Sequence, residues 1–131
     1  TDLAQWDEIV IFNDGTGYRG KVISASSAGD WDGSLTANGY QKFPGGLIMQ
    51  WGTYANNISG EQTINITFPT AFPTACLNLT ATGRNDGGSG MGIDLVPQVE
   101  SISASGASLY INNTSGSPAS LDGFYWFAIG Y

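Results

Sequence analysis

Residues 38–52 read NGYQKFPGGLIMQWG, and they mark the point where the character of the sequence changes. The Asn-Gly pair at 38–39 and the Pro-Gly-Gly run at 44–46 are turn signals, because glycine tolerates positive φ and proline fixes φ. Residues 47–54 then predict a β-strand with Met49 and Trp51 on the same face. Acidic, turn-rich sequence precedes this stretch, and a series of predicted strands follows it.

The sequence beyond this stretch predicts an all-β fold class. Five further segments are rich in β-branched, aromatic or alternating residues, with turn-forming residues between them. These predicted strands are residues 61–68, 75–82, 93–104, 107–112 and 123–131. In the second of them, alternation places the odd-numbered residues from Ala75 to Ala81 on one apolar face. We therefore predict an antiparallel β-sandwich or meander without a long helix.

Composition limits the partners of the chain. Its 131 residues suffice for one domain with a short lead-in. Only 11% of the residues are charged, and four of them are basic in a chain of net charge −7. So acidic a chain cannot neutralise phosphates, which excludes nucleic-acid binding. The longest apolar run, residues 124–129, is too short to span a bilayer, so no membrane insertion is expected.

Nothing in the sequence predicts a catalytic or metal centre. The chain has no histidine, which excludes Ser-His-Asp and Cys-His arrangements and histidine metal ligands. The run DWDG at 30–33 lacks the further ligands of a calcium loop. Cys76, the single cysteine, is expected to be a buried, inert thiol. We predict no catalytic residue, no metal and no cofactor, although a carboxylate pair for glycan hydrolysis stays an open alternative.

The last predicted strand is apolar on both faces. A strand in a small antiparallel sheet normally exposes one polar face to water. Cover for the second face is most simply supplied by another copy of the chain, and a loop or the N-terminal segment is the alternative. The residues expected in this oligomer seam are Phe124, Trp126, Phe127 and Ile129.

Three blocks of the sequence resemble the C-terminal domain of phage tail-fibre proteins. They are residues 38–52, the proline-containing run ITFPTAFPTAC at 66–76, and the terminal GFYWFAIGY at 123–131. The resemblance implies a homotrimeric β-rich fibre tip at the distal end of the tail fibre in the virion. It covers roughly residues 34–131 and implies that residues 38–131 form the receptor-binding tip. Most of residues 1–37 have no counterpart in the resemblance, and we predict them to be a shaft-proximal β segment or linker.

A meander would bring three loops to the end that faces the host, because successive antiparallel strands reverse direction. These loops are residues 55–60, 84–92 and 113–120, and they are rich in Asn, Ser and Gly. Amides and Arg suit sugar hydroxyls, and tyrosine edges could stack on a sugar ring. The candidate glycan-binding residues are Asn56, Asn57, Arg84, Asn85, Asp86, Met91, Asn113 and Ser115, with Tyr54 and Tyr110 for stacking.

The sequence-based hypothesis is therefore a tail-fibre tip that binds a bacterial surface polysaccharide, capsule or lipopolysaccharide, without catalysis. Two alternatives stay open. The domain could be a structural cap that trimerises the fibre while the receptor site lies elsewhere, or it could degrade the glycan.

Overall fold

The computed structural model describes residues 31–86, 94–116 and 119–131 in full, and residues 8–13 and 18–23 as backbone strands. All regular elements among these residues are β-strands. The described residues contain no helix that is long and apolar enough to cross a membrane. The strands are β1 (Glu8–Asn13), β2 (Tyr18–Ile23), β3 (Gly33–Ser34), β4 (Gly39–Lys42), β5 (Ile48–Tyr54), β6 (Ile58–Ser59), β7 (Gln62–Thr67), β8 (Cys76–Gly83), β9 (Leu95–Ile102), β10 (Gly106–Asn113), β11 (Ser120–Leu121) and β12 (Phe124–Gly130).

The strands form antiparallel sheets, which confirms the predicted fold class. A five-stranded sheet has the order β3-β4-β5-β12-β8, and a three-stranded sheet has the order β7-β10-β9. β6 pairs with β11, and β1 pairs with β2 in a separate hairpin. The order is not that of a sequential meander, because β12 lies between β5 and β8 and hydrogen-bonds to both. The domain boundary at residue 37 stays a prediction; β3, which precedes it, pairs with β4.

The hydrophobic core lies between the five-stranded and the three-stranded sheet. Alternate residues of each strand point into it, as the period of two requires. The core includes Ile48 of β5, Ile64 of β7, Leu79 of β8, Leu95 of β9, Leu109 and Ile111 of β10, and Phe124, Trp126 and Ala128 of β12. Phe68 and Phe72, from the proline-containing connection after β7, pack edge to face with ring centroids 5.2 Å apart. These phenylalanines close the core at one end.

Two residues of the stretch at 38–52 fix how β5 meets its neighbours. Gly52 lies opposite Trp126 in the β5–β12 ladder, and a Cβ at Gly52 would collide with the Trp126 ring. Asn38 accepts a hydrogen bond from the Thr53 N–H through Oδ1 at 2.8 Å. The glycine therefore lets the indole lie across the strand, and the asparagine anchors the turn that leads into β4.

Gln50 is the one buried polar side chain in the described part of the core. Its Nε2 donates to the Thr70 carbonyl at 2.8 Å, and its Oε1 accepts from the Thr70 N–H at 3.1 Å. Thr70 lies between Pro69 and Pro73, where the backbone cannot join a ladder. The amide thus supplies the hydrogen bonds that a strand partner would otherwise supply.

Replacing Gln50 by Leu should destabilise the fold by about 2 kcal/mol, because it leaves the N–H and C=O of the half-buried Thr70 facing an apolar side chain without their partners. Chemical denaturation should show a lower midpoint with an unchanged slope. Gln98→Leu is the matched control, since Gln98 is exposed on β9, and it should change stability by less than about 0.5 kcal/mol. Equal stability of the two variants would contradict this role for Gln50.

The apolar face predicted for the strand at residues 75–82 is wrong in its first half. The sequence placed Leu77 with Leu79 on an apolar face, but Leu77 is 57% exposed and Cys76 is buried. The register between β8 and β12 shifts between Ile129 and Gly130, so that Gly130 pairs with Cys76. A bulge inserts one residue and reverses the alternation on its strand. Cys76 therefore takes the inward position, and its predicted burial is confirmed.

Candidate functional site

Three loops meet at one end of the sandwich, which we call the loop end: residues 55–60, 84–86 with Asp94, and 113–123 as far as they are described. The Gly60 N–H donates to the Ala119 carbonyl at 3.2 Å, and β6 pairs with β11 beside it. The Thr114 N–H donates to the Asp94 carbonyl at 2.7 Å. The described parts of the three loops therefore lie together at one end.

Arg84 and Asp122 hold two of the loops together. The Arg84 N–H donates to the Gly123 carbonyl at 2.8 Å, and the Asp122 N–H donates to the Arg84 carbonyl at 3.0 Å. The Arg84 guanidinium donates to the Asp122 carbonyl at 3.3 Å and forms an ion pair with Asp86. The Asp122 carboxylate accepts from the Asp86 N–H at 2.8 Å. Arg84 is therefore half-buried, and its guanidinium helps to hold the two loops together.

Asn113 shapes the neighbouring loop. Its Oδ1 accepts hydrogen bonds from the Ser115 N–H and the Gly116 N–H, each at 3.1 Å. This is a turn in which an asparagine side chain replaces a backbone acceptor. The Asn113 N–H in turn donates to the Glu61 carboxylate at 3.3 Å. Asn113 thus orders the loop, while Ser115 lies exposed at its surface.

The two tyrosines predicted to stack on a sugar lie in different surroundings. The Tyr54 ring stacks on Phe124, with centroids 5.2 Å apart and an interplanar angle of 11°, so one of its faces is occupied. Tyr110 lies on the outer face of the three-stranded sheet, paired with Thr63 and Gln98. Partial burial, and then the negative charges of Glu61 and Glu100, raise the pKa of its hydroxyl. Tyr110 therefore stays protonated and belongs to the flank of the domain.

The exposed candidates at the loop end are amides, a hydroxyl and a carboxylate. They are Asn56, Asn57, Asn85, Asp86 and Ser115. Met91 lies outside the described residues. These side chains offer both donors and acceptors, on loops that are hydrogen-bonded to a rigid sandwich. This arrangement suits recognition of a polar, hydroxyl-bearing ligand.

Asp122 was missed as a site residue by sequence reasoning. It is one of eleven acidic residues in the sequence, yet in the structure it bonds to both Arg84 and Asp86. The available signal was the Asp-Gly pair at 122–123, a turn dipeptide immediately before the last strand. That pair marks a position where loops from distant parts of the sequence can be joined.

The outer face of the five-stranded sheet carries a continuous group of apolar side chains, which we call the aromatic face: Met49, Trp51, Leu77, Tyr125, Phe127 and Ile129. Tyr125 is 52% exposed and Phe127 is 38% exposed. Phe127 pairs with Trp51 on one side and Thr80 on the other. Phe124 and Trp126 instead point into the core and are buried. Their assignment to an oligomer seam is therefore wrong, because a strand presents alternate residues to opposite faces.

The described residues contain no group of three or more His, Cys, Asp or Glu side chains arranged to hold a metal ion. Burial raises the pKa of the Cys76 thiol, which makes it a poor nucleophile. Near the opposite end, Asp32 pairs with Lys42 at 2.9 Å, and this contact lowers the pKa of the carboxyl group. Neither group lies at the loop end.

Both a protein family and a curated relative match most of this chain. The sequence profile of the family described as tail fiber protein gp53-like, C-terminal, matches residues 42–131. Uncharacterized protein MJ0347 of Methanocaldococcus jannaschii is 43% identical over 98 residues, which cover 72% of this chain and 63% of that protein. The chain thus spans less than two-thirds of the length of this curated relative.

Solved structures of pyocin fibres have the same fold. An N-truncated R1-type pyocin tail fibre is 28% identical with a TM-score of 0.68, and the match covers 84% of this chain and 98% of that chain. A C-terminal fragment of the R2 pyocin fibre of P. aeruginosa is 26% identical with a TM-score of 0.64, and the match covers 100% of this chain and 35% of that chain.

Proposed function

The chain belongs to the family of gp53-like tail fibre C-terminal domains, and we propose that it is a receptor-binding tip whose loop end binds a bacterial surface polysaccharide. The polysaccharide is capsule or lipopolysaccharide, and binding serves adsorption to the host without cleavage of the glycan. The observation that carries the proposal is the convergence of three loops whose exposed side chains are amides, a hydroxyl and a carboxylate.

The chemistry of the loop end favours a neutral, hydroxyl-rich ligand. The Arg84 charge is paired with Asp86, and the whole chain is acidic. A polyanion would be repelled, whereas sugar hydroxyls can both donate to and accept from amides. Because the described parts of the loops are joined by backbone hydrogen bonds, these parts need little ordering on binding.

The path of the chain supports a distal position for the loop end. The stretch that leads into β3 and β4 is described from Trp31 onward, and the Lys42 N–H donates to the Asp32 carbonyl at 2.7 Å. Lys42 pairs with Ile48 at the start of β5, at the end of the sandwich opposite to Tyr54. The fibre shaft is then attached at this opposite end, and the loop end faces the host.

The aromatic face supports assembly into a homotrimer. It exposes large apolar side chains that a monomer would leave in water. Copies of the chain that cover this face would bury it. The same face is the observation that favours the second candidate function, a structural cap that trimerises the fibre.

Single replacements at the loop end should separate these two functions. Asn57→Ala, Asn85→Ala and Ser115→Ala should each weaken binding by about 10-fold, since each removes one or two hydrogen bonds to sugar. Binding is measured on an array of purified bacterial lipopolysaccharides and capsular polysaccharides, and on whole cells of strains that score positive.

Matched controls lie away from the loop end. Ser105→Ala changes an exposed serine at the opposite end, and Asn65→Ala changes an exposed asparagine on the flank. Both should bind as the parent does. Loss of binding in Asn65→Ala with full binding in the loop variants would move the receptor site to the flank. Release of reducing ends from any bound polysaccharide would contradict the absence of catalysis.

A further inference from the structure

A cavity of about 330 Å³ opens between β8 and β9 where both strands reach the loop end. β8 is an edge strand of the five-stranded sheet, β9 is an edge strand of the three-stranded sheet, and the two strands pack side by side. The cavity is therefore the opening between the two sheets, and we call it the sheet mouth. Its volume is near the lower limit of about 300–1,000 Å³ for ligand sites, which suits one sugar unit.

The interior of the sheet mouth is apolar. Leu95 and Leu121 are buried residues that line it, and Val96 and Pro97 line it from β9. On the β8 side the lining includes Gly83, which has no side chain to fill the space. A Cβ at this position would lie 3.2 Å from Leu121 Cδ1. The glycine thus leaves the opening wide enough for a ligand group.

The rim of the sheet mouth is polar. Thr82 and Asn85 line it, and the hydrogen-bonded group of Arg84, Asp86 and Asp122 is adjacent in the chain and in the fold. Half of the peptide groups of an edge strand point away from its ladder, which gives the rim further donors and acceptors. The guanidinium is paired with a carboxylate, so the rim favours a neutral ligand over an anionic one.

We propose that the sheet mouth is the subsite for one sugar unit that carries a methyl group, either a 6-deoxy sugar or an N-acetylated sugar. The methyl group enters the apolar interior, and the ring hydroxyls bond to the polar rim. A purely apolar ligand, such as an acyl chain, would displace water from the polar rim without replacing the hydrogen bonds that this water makes. This subsite rests on the proposed function and names the class of sugar that the loop end selects.

Pairs of monosaccharides that differ at the methyl-bearing group test the proposal directly. The probes are L-fucose with L-galactose, L-rhamnose with L-mannose, and N-acetylglucosamine with glucose, titrated into the full chain and followed by NMR. One apolar group in a complementary pocket changes affinity by about 10-fold or more. At least one methyl-bearing sugar should therefore bind about 10-fold more tightly than its partner, and the pair that responds distinguishes a deoxy from an acetyl group.

Two substitutions of the same kind on β9 show where the preference arises. Val96→Phe fills the sheet mouth and should abolish the preference, while Val99→Phe, at a 42% exposed position three residues further on, should leave it unchanged. Val96→Thr keeps the shape but adds a hydroxyl, and it should reduce the preference by several-fold. The melting temperature of each variant confirms that it is folded.

The outcomes separate this inference from the proposed function. If all sugar pairs bind equally or not at all, or if Val96→Phe keeps the parent's preference, the inference is overturned. Binding of 1-hexanol, a neutral apolar probe, as tight as that of the sugars would also overturn it, since the site would then be merely apolar. In each of these cases the proposed function still stands if Asn57→Ala, Asn85→Ala and Ser115→Ala reduce binding to polysaccharide. If those variants bind normally, the proposed function fails.

Discussion

Alanine in place of Gly123 is expected to destabilise the domain by more than about 3 kcal/mol, enough to unfold much of it at physiological temperature. Gly123 has φ +123°, a conformation that residues with a side chain rarely adopt. A Cβ there would also be driven into the Tyr54 carbonyl oxygen. Because this oxygen belongs to the backbone of β5, the collision cannot be relieved by a side-chain rotation.

The position of Gly123 makes the effect spread beyond one turn. Its carbonyl accepts from the Arg84 N–H, and β12 begins at the next residue. A shift of the glycine would therefore disturb the link between loops and the register of the strand that joins β5 to β8. Thermal unfolding and denaturant titration should show the loss, together with weaker binding to polysaccharide.

Gly45→Ala is the matched control for Gly123→Ala. Gly45 also has a positive φ, of 95°, but nothing lies within 4 Å of the Cβ that would be added there. Gly45→Ala therefore introduces backbone strain without a collision, and its free energy of unfolding should fall by only about 1 kcal/mol. If both variants were equally stable, the close approach to Tyr54 would not be what fixes the glycine.

The convergence of the loops could be predicted from the sequence because it depends on direction alone. Each antiparallel strand reverses the chain, so the first, third and fifth connections fall at one end whatever the order of the strands. The order itself could not be predicted, since alternation tells which residues share a face and not which strand is the neighbour. This is why the loops lie together although β12 lies between β5 and β8.

The bonds within the loop end could not be predicted for a different reason. Arg84 and Asp122 are 38 residues apart, and their contact depends on how β8 and β12 are paired. The bulge that exposes Leu77 likewise arises from a register shift at Gly130, which no local pattern in β8 announces. The sequence predicts where the loops are and which residue types they contain. Which residues bond to one another depends on how the strands pair in the fold.

The last strand, β12, shows most clearly what the sequence could not predict. Its two apolar faces were recognised, but the sequence could not tell which face the chain covers with its own core. The opposing glycine decides this: Gly52 makes room for the ring of Trp126, so even-numbered residues of β12 point inward. Phe127 and its odd-numbered neighbours then face outward.

Replacing Phe127 by Asp should dissociate the proposed homotrimer and leave a folded monomer. Phe127 lies at the centre of the aromatic face, 38% exposed in the single chain, between Trp51 and Thr80. A carboxylate in a covered apolar seam has no partner, which opposes assembly by about 3 kcal/mol or more per subunit. Each association step should weaken by about 100-fold or more. The monomer should fold, because the substituted side chain lies outside its core.

Trp126→Asp should behave differently from Phe127→Asp although the two positions are adjacent. Trp126 is buried against Phe68, with ring centroids 5.6 Å apart, so the charge would enter the core and the chain should not fold. Val99→Asp is the control for an added charge, since Val99 is exposed on the other sheet and its substitution should leave the trimer intact.

Light scattering and sedimentation at micromolar concentration report the mass, and circular dichroism reports the fold. We expect three chains for the parent and for Val99→Asp, one folded chain for Phe127→Asp, and unfolded or aggregated material for Trp126→Asp. If the parent chain were a stable monomer, the proposal that copies assemble through the aromatic face would be wrong. A trimeric Phe127→Asp variant would show that the copies meet on another surface.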